Sequence, residues 1–195
     1  MVLDSQFDPL KEYLENTSIF FKELKFMPKP IIAEGSYPSL EGLSCDPQSV
    51  RIISPAYATS CGELNATLQY IYHSINFSCS GDEDTATKLE GIAIAEMHHL
   101  DLLAEALIRM GAQPVYTFNP PGQYNFYSTK FVSYSRSLRN MIEDDIMGEK
   151  YAIYTYERMI TRLKNPILQA LVCRIIDDEN VHLEVLKGIL ENLKC

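Results

Sequence analysis

Four amphipathic stretches each place a carboxylate in the middle of the face that must be buried, and this feature constrains the chain most. Apolar residues at helical spacing mark helices at about 55–78, 85–111, 135–163 and 166–193. Ser54 and Pro55 read as the start of the first helix, and SCSGDED at 78–84 as the turn that follows it. Gly111 with Pro114 ends the second, and Lys164-Asn165-Pro166 separates the last two. A long aromatic connection, PVYTFNPPGQYNFYSTKF, with turn chemistry at 119–122, lies between the second and third. Two helical hairpins joined by a long crossover make an all-α, antiparallel four-helix bundle over 55–195. Residues 1–54 are expected to form an appendage packed on it, with Asp8-Pro9 opening a short helix through FFKELKF.

The buried stripe of the first helix reads Thr59, Glu63, Ala66, Tyr70, His73, Phe77, and that of the second Leu89, Ile92, Glu96, His99, Leu103. The third reads Leu138, Ile142, Asp145, Glu149, Ala152, Tyr156, and the fourth Leu171, Ile175, Glu179, His182, Leu186. Converging buried carboxylates repel one another and resist desolvation, and no stripe holds a Lys or Arg to offset them. Divalent metal does offset them. Four carboxylates and two imidazoles form a hard oxygen-and-nitrogen set suited to two manganese or iron ions. In Glu96-Met-His98-His99 and Glu179-Asn-Val-His182 the two donors stand at i and i+3, on one helical face.

Height along the bundle selects the remaining ligands. Glu63 and Glu96 lie equally far from the turn at 78–84, and Glu149 and Glu179 equally far from Lys164. Glu143 would move that level point inside the third helix, so Glu149 is the better choice. The halves also repeat: Glu63-x2-Ala66-x3-Tyr70 recurs as Glu149-x2-Ala152-x3-Tyr156, and EMHHLDL as ENVHLEV. The expected metal ligands are therefore Glu63, Glu96, His99, Glu149, Glu179 and His182. Tyr70 and Tyr156, two turns along from a ligand, are placed to hydrogen-bond a ligating carboxylate. His98 falls off its stripe and reads as a surface residue. His73 is given no functional role, and Asp145, one turn before Glu149, reads as an exposed member of the EDD run in preference to an acid beside the ligands.

The chain has 195 residues, 46% hydrophobic and 22% charged, enough for one domain with a real core. Its formal charge of −9 argues against nucleic acid or an anionic membrane surface as partner. No apolar run reaches the length of a membrane span. The opening MVLDSQFDPL has two acids and no basic region, so no secretory signal is expected, and a cytoplasmic location is. The five scattered cysteines contain no CxxC and read as reduced, partly buried small hydrophobes.

At the paired ExxH motifs and repeated glutamates the sequence resembles the ferritin-like superfamily, over about residues 55–193. The resemblance implies a four-helix bundle with the same six ligands. Within that superfamily, GELNATLQYIYHS, IAEMHHLDLLA, EDDIMGEKYAIYTYERM and DDENVHLEVL are similar to manganese catalases, including related spore-coat proteins. That likeness implies that Glu179 can stand back from the metal and act as a proton-transferring base. Gly148 occupies a place where some catalases carry arginine. Rubrerythrins are the neighbouring family, but Ala152 replaces their additional glutamate and no CxxC pairs are present.

The expected function is a catalase-like oxidoreductase acting on hydrogen peroxide, or dioxygen, at a dimanganese or di-iron centre. The alternatives are a ferroxidase or metal-handling protein, and a structural coat protein whose metals stabilise the bundle. A homo-oligomer is expected, with the tyrosine-rich crossover and the N-terminal segment as contacts.

Overall fold

The computed structural model describes residues 28–117 and 125–193. The helix expected after Asp8-Pro9 and the turn at 119–122 lie outside these residues. Among the described residues five α-helices follow one another: α1 Pro47–Ala58, α2 Glu63–Cys79, α3 Glu83–Arg109, α4 Leu138–Ile160 and α5 Pro166–Asn192. Among its described residues the crossover adds a 3-10 turn, Thr129–Phe131, and an isolated bridge between Thr117 and Phe126. Helices α2 and α3 form one hairpin and α4 and α5 the other; α1 packs across α2, α3 and α4.

Side-chain caps fix most helix starts. Asp82 accepts from the Thr85 amide, Ser137 from Asn140, and Asn165 from Ile167 and Leu168, with Pro166 at the first position. The start of the first bundle helix differs from the sequence expectation. Ser54 and Pro55 sit inside α1, capped earlier by Asp46, and the Ser54 hydroxyl donates to the Val50 carbonyl at 2.5 Å. The break comes at 59–62. Gly62 is required there, because a Cβ would stand 2.5 Å from the Ala56 carbonyl oxygen. The chain thus doubles back on α1, and Glu63 becomes the first residue of α2.

The apolar core falls into two blocks. Ile53, Leu103, Leu107, Leu168, Leu171 and Ile175 belong to one; Phe77, Leu89, Ile92, Ile142, Leu186 and Ile189 belong to the other. No described helix is long and apolar enough to cross a membrane.

The segment before α1 lies as a strap on α3 and α5. The Ile31 amide donates to the Gly91 carbonyl at 3.0 Å. This approach depends on Gly91, whose added Cβ would lie 2.8 Å from the Lys29 carbonyl oxygen and 3.1 Å from Ile31 Cγ1. Alanine in place of a helical glycine ordinarily stabilises by about 1 kcal/mol. Here Gly91→Ala is expected to destabilise by about 1–3 kcal/mol through overpacking against backbone. Thermal melting checks the sign, and protease sensitivity before residue 37 checks the location.

Candidate metal centre

Glu63 from α2, Glu96 and His99 from α3, Glu149 from α4, and Glu179 and His182 from α5 are all buried. Their donor atoms form two overlapping sets: Glu63, Glu96, His99 and Glu179, and Glu96, Glu149, Glu179 and His182. Within each set every donor lies within 4.8 Å of the others. Glu96 and Glu179 belong to both.

The imidazoles turn Nδ1 inward. His99 Nδ1 is 3.1 Å from Glu96 Oε2 and 3.4 Å from Glu179 Oε1, and His182 Nδ1 is 3.1 Å from Glu96 Oε1 and 3.2 Å from Glu179 Oε2. Nε2 turns outward to a partner that fixes each ring. His99 Nε2 lies 3.0 Å from Asp178 Oδ2, and His182 Nε2 donates to the Ile31 carbonyl at 2.8 Å. The two phenols cross between the hairpins: Tyr70 on α2 donates to Glu149, and Tyr156 on α4 donates to Glu63.

Burial splits the carboxyl groups into two kinds. Glu63 is pushed well above the ordinary range by burial and then by the charges of Glu96 and Glu179. Glu149 rises likewise, through burial and Glu179. Burial pushes Glu96 upward too, but hydrogen bonds from His182 and His99 outweigh it and hold this carboxyl low. Glu179 is also held low, by Glu149 and the two imidazoles against burial and the Glu96 charge. Burial opposes charge on the histidines, yet their carboxylate partners raise His99 well above its usual value and His182 to about 9.

The donor set fits divalent metal. Glu179 Oε1 is buried without a hydrogen-bond partner, and an acceptor left this way costs its full desolvation. Aligned carboxylate oxygens and inward Nδ1 atoms offer hard ligands for two ions, with Glu96 and Glu179 available to both.

A family model of the ferritin-like domain matches residues 58–195. The chain belongs to the ferritin-like family. Among solved structures, it resembles KatB, a manganese catalase from Anabaena, with a TM-score of 0.65 and 17% identity over 85% of this chain and 78% of that one. It also resembles the Mycobacterium tuberculosis bacterioferritin BfrA, with a TM-score of 0.63 and 23% identity over 76% and 87% of the two chains. A Desulfovibrio desulfuricans bacterioferritin with a diiron site gives 0.63 and 24% over 74% and 79%. At these identities the likeness concerns the fold. No curated protein sequence matches significantly.

Against this ferritin-like frame, three sequence expectations change. Asp145 is buried, not exposed, because it stands one turn before Glu149 on the inner stripe while Glu143 turns outward. His73, given no role, is fully buried with Nδ1 2.8 Å from Asp145 Oδ2. The antiparallel level that pairs Tyr70 with Glu149 also pairs these two, so the signal was present. The third change concerns Cys45, Cys61, Cys79 and Cys173, which are free and exposed, not partly buried. His98 is exposed as expected, its ring edge-on to Tyr37 with centroids 4.6 Å apart.

Asp178 was not read from the sequence as a site residue. It accepts from the Ala33 amide at 2.7 Å, from the Tyr37 hydroxyl at 2.5 Å and from Arg174, besides facing His99. Burial raises its carboxyl, but these donors hold it down at about 2. Its place one turn before His182 and one turn after Arg174 was the available clue. The repeat breaks here: Ala95 is the counterpart of Asp178, and the Ile31 carbonyl serves His182 instead. Asp178→Ala should remove the carboxylate that faces both His99 and Arg174. It is expected to weaken metal binding at the set containing Glu63 and His99 by about 10–100-fold and at the other set much less, measured by chelator competition.

With the strap over α3 and α5, access opens on the opposite side. A cavity of about 370 Å³ between α2 and α4 is lined by Glu63, Tyr70, Glu96, Asp145, Glu149 and Glu179, among others.

Proposed function

We propose that this chain is a peroxide-acting, catalase-like oxidoreductase whose centre holds two manganese or iron ions on Glu63, Glu96, His99, Glu149, Glu179 and His182. The observation that carries this reading is the sharing of Glu96 and Glu179 by two complete donor sets, whose four glutamates line one cavity. Two ions held there would supply a two-electron couple, able to take electrons from one peroxide and return them to another.

The chain's own residues do the rest. Tyr70 and Tyr156 hold the outer glutamates, Glu149 and Glu63, in orientation. Asp178 and the Ile31 carbonyl hold the rings of His99 and His182. Glu179 leaves Oε1 free of hydrogen bonds to take an ion. The flanking apolar blocks and the strap limit water to the side between α2 and α4. Ile71 and Ile75 on α2, and Met147, Tyr151 and Tyr154 on α4, expose apolar surface that suits a homo-oligomer.

Elemental analysis of natively purified protein, followed by oxygen release from peroxide on the same sample, tests the reading. About two ions per chain with sustained oxygen release is the expected result. Iron taken up and oxidised without oxygen release would favour metal handling, and bound metal with no turnover a structural role.

A further inference from the structure

We propose that Asp145, held by His73, takes and returns a substrate proton in the cavity between α2 and α4; this rests on the peroxide reading above. The Asp145 carboxyl and the His73 ring meet with no exposed surface on either side chain. His73 Nδ1 faces both Asp145 oxygens, at 2.8 and 2.9 Å, while His73 Nε2 faces the Ser133 carbonyl at 3.1 Å. Gln69 donates to Asp145 Oδ1 at 2.7 Å and accepts from the Ser133 amide at 2.8 Å. Asp144, the adjacent acid on α4, is occupied by the hydroxyls of Ser133 and Ser135. Asp145 is thus held from α2, yet it lines the same cavity as Glu63 and Glu149.

Packing alone does not require this pair, and the other half of the molecule serves as the control. The repeat that relates Glu63 to Glu149 and Tyr70 to Tyr156 relates His73 to Met159 and Asp145 to Thr59. Met159 is buried in the apolar core, and the Thr59 hydroxyl donates to the Pro55 carbonyl at 2.7 Å. At the corresponding sequence positions the other half carries a thioether and a hydroxyl, with Thr59 in the cap of α1 rather than inside α2. Replacing a buried ion pair by well-packed apolar groups is often neutral or stabilising, so stability alone does not call for a buried acid–imidazole pair.

Proton balance gives it a task. A peroxide oxidised to dioxygen gives up two electrons and two protons; a peroxide reduced to two waters takes up two of each. The metal couple proposed above would supply and take up the electrons, but the protons need an acceptor close to the substrate. Asp145 accepts one as a peroxide O–H bond breaks. It returns that proton when the O–O bond of the next peroxide breaks, completing a water. The second proton exchanges with cavity water.

The test exchanges the pair for its counterpart from the other half, His73→Met with Asp145→Thr. Melting temperature and metal content are expected to stay at the levels of the unaltered chain. The kcat for oxygen release should fall about a hundredfold with KM little changed. Asp145→Asn should do the same, and Asp145→Glu should recover part of the loss. Full turnover by the double variant would overturn the proposal, and so would a lowered melting temperature with loss of metal, which would mark the pair as structural. If the unaltered chain carries both ions and releases no oxygen, the peroxide reading itself fails and takes this inference with it.

Discussion

Glu96→Ala is expected to remove both metal ions at once, whereas Glu63→Gln or Glu149→Gln should each remove one. Glu96 Oε1 faces His182 and its Oε2 faces His99, so one side chain completes both donor sets. Glu63 and Glu149 each belong to a single set. Losing a direct ligand costs at least the 10–100-fold in affinity that loss of an outer hydrogen-bond partner costs. Metal content per chain should then fall from about two to near zero in Glu96→Ala and to about one in each outer variant, with oxygen release abolished in all three. Elemental analysis and an oxygen electrode read both quantities, and circular dichroism confirms the helical fold. A Glu96→Ala protein that keeps one tightly bound ion would disprove the shared-ligand arrangement. One that binds no metal, from a parent that also binds none, and melts unchanged would remove the case for a dimetal centre.

Much of this was legible because helical periodicity and hairpin level are local arithmetic. The i, i+3 pairs Glu96–His99 and Glu179–His182 need only a helix to share a face. The match of Glu63 to Glu96 and Glu149 to Glu179 needs only the turns between them. The phenols followed from the same stripe, although their exchange between hairpins, Tyr70 to Glu149 and Tyr156 to Glu63, became visible only once α2 and α4 were set antiparallel. The start of α2 was misread because Ser-Pro is a good helix opening. The contact of Gly62 with the end of α1, which sets the true break, is tertiary. The strap was illegible for a related reason. Its contributions are largely backbone groups, the Ile31 carbonyl on His182 and the Ala33 amide on Asp178, and backbone carries no residue-type signal.

Loading the centre at neutral pH should release about four protons for each pair of divalent ions, because ligands must be deprotonated to bind. Before metal arrives, burial and charged neighbours favour the protonated forms of Glu63 and Glu149, while hydrogen bonds from the imidazoles favour the ionised forms of Glu96 and Glu179. His99 and His182 are cationic beside those two carboxylates. The cluster is then neutral, with two anions set against two cations. Two divalent ions on four carboxylates and two neutral imidazoles are neutral as well, so four protons are exchanged for two metals without burying net charge.

The stability of the two forms should move in opposite directions with pH. In the metal-free protein, His182 has a folded value of about 9, above its unfolded one, so its contribution is fully present below about pH 6.5 and is lost as pH rises through 9. The raised carboxyls of Glu63 and Glu149 act in the same sense. Unfolded, they ionise near pH 4.5, so keeping them protonated costs the fold more as pH rises. Metal-free protein should therefore melt at a lower temperature at pH 8.5 than at pH 6.5. In the presence of manganese the order should reverse, because fewer protons must leave as pH rises. Calorimetric titration in buffers of different ionisation enthalpy counts the protons, and melts with and without metal give the two slopes. Proton release near zero, or slopes of the same sign, would show that the six side chains do not exchange their protons for metal.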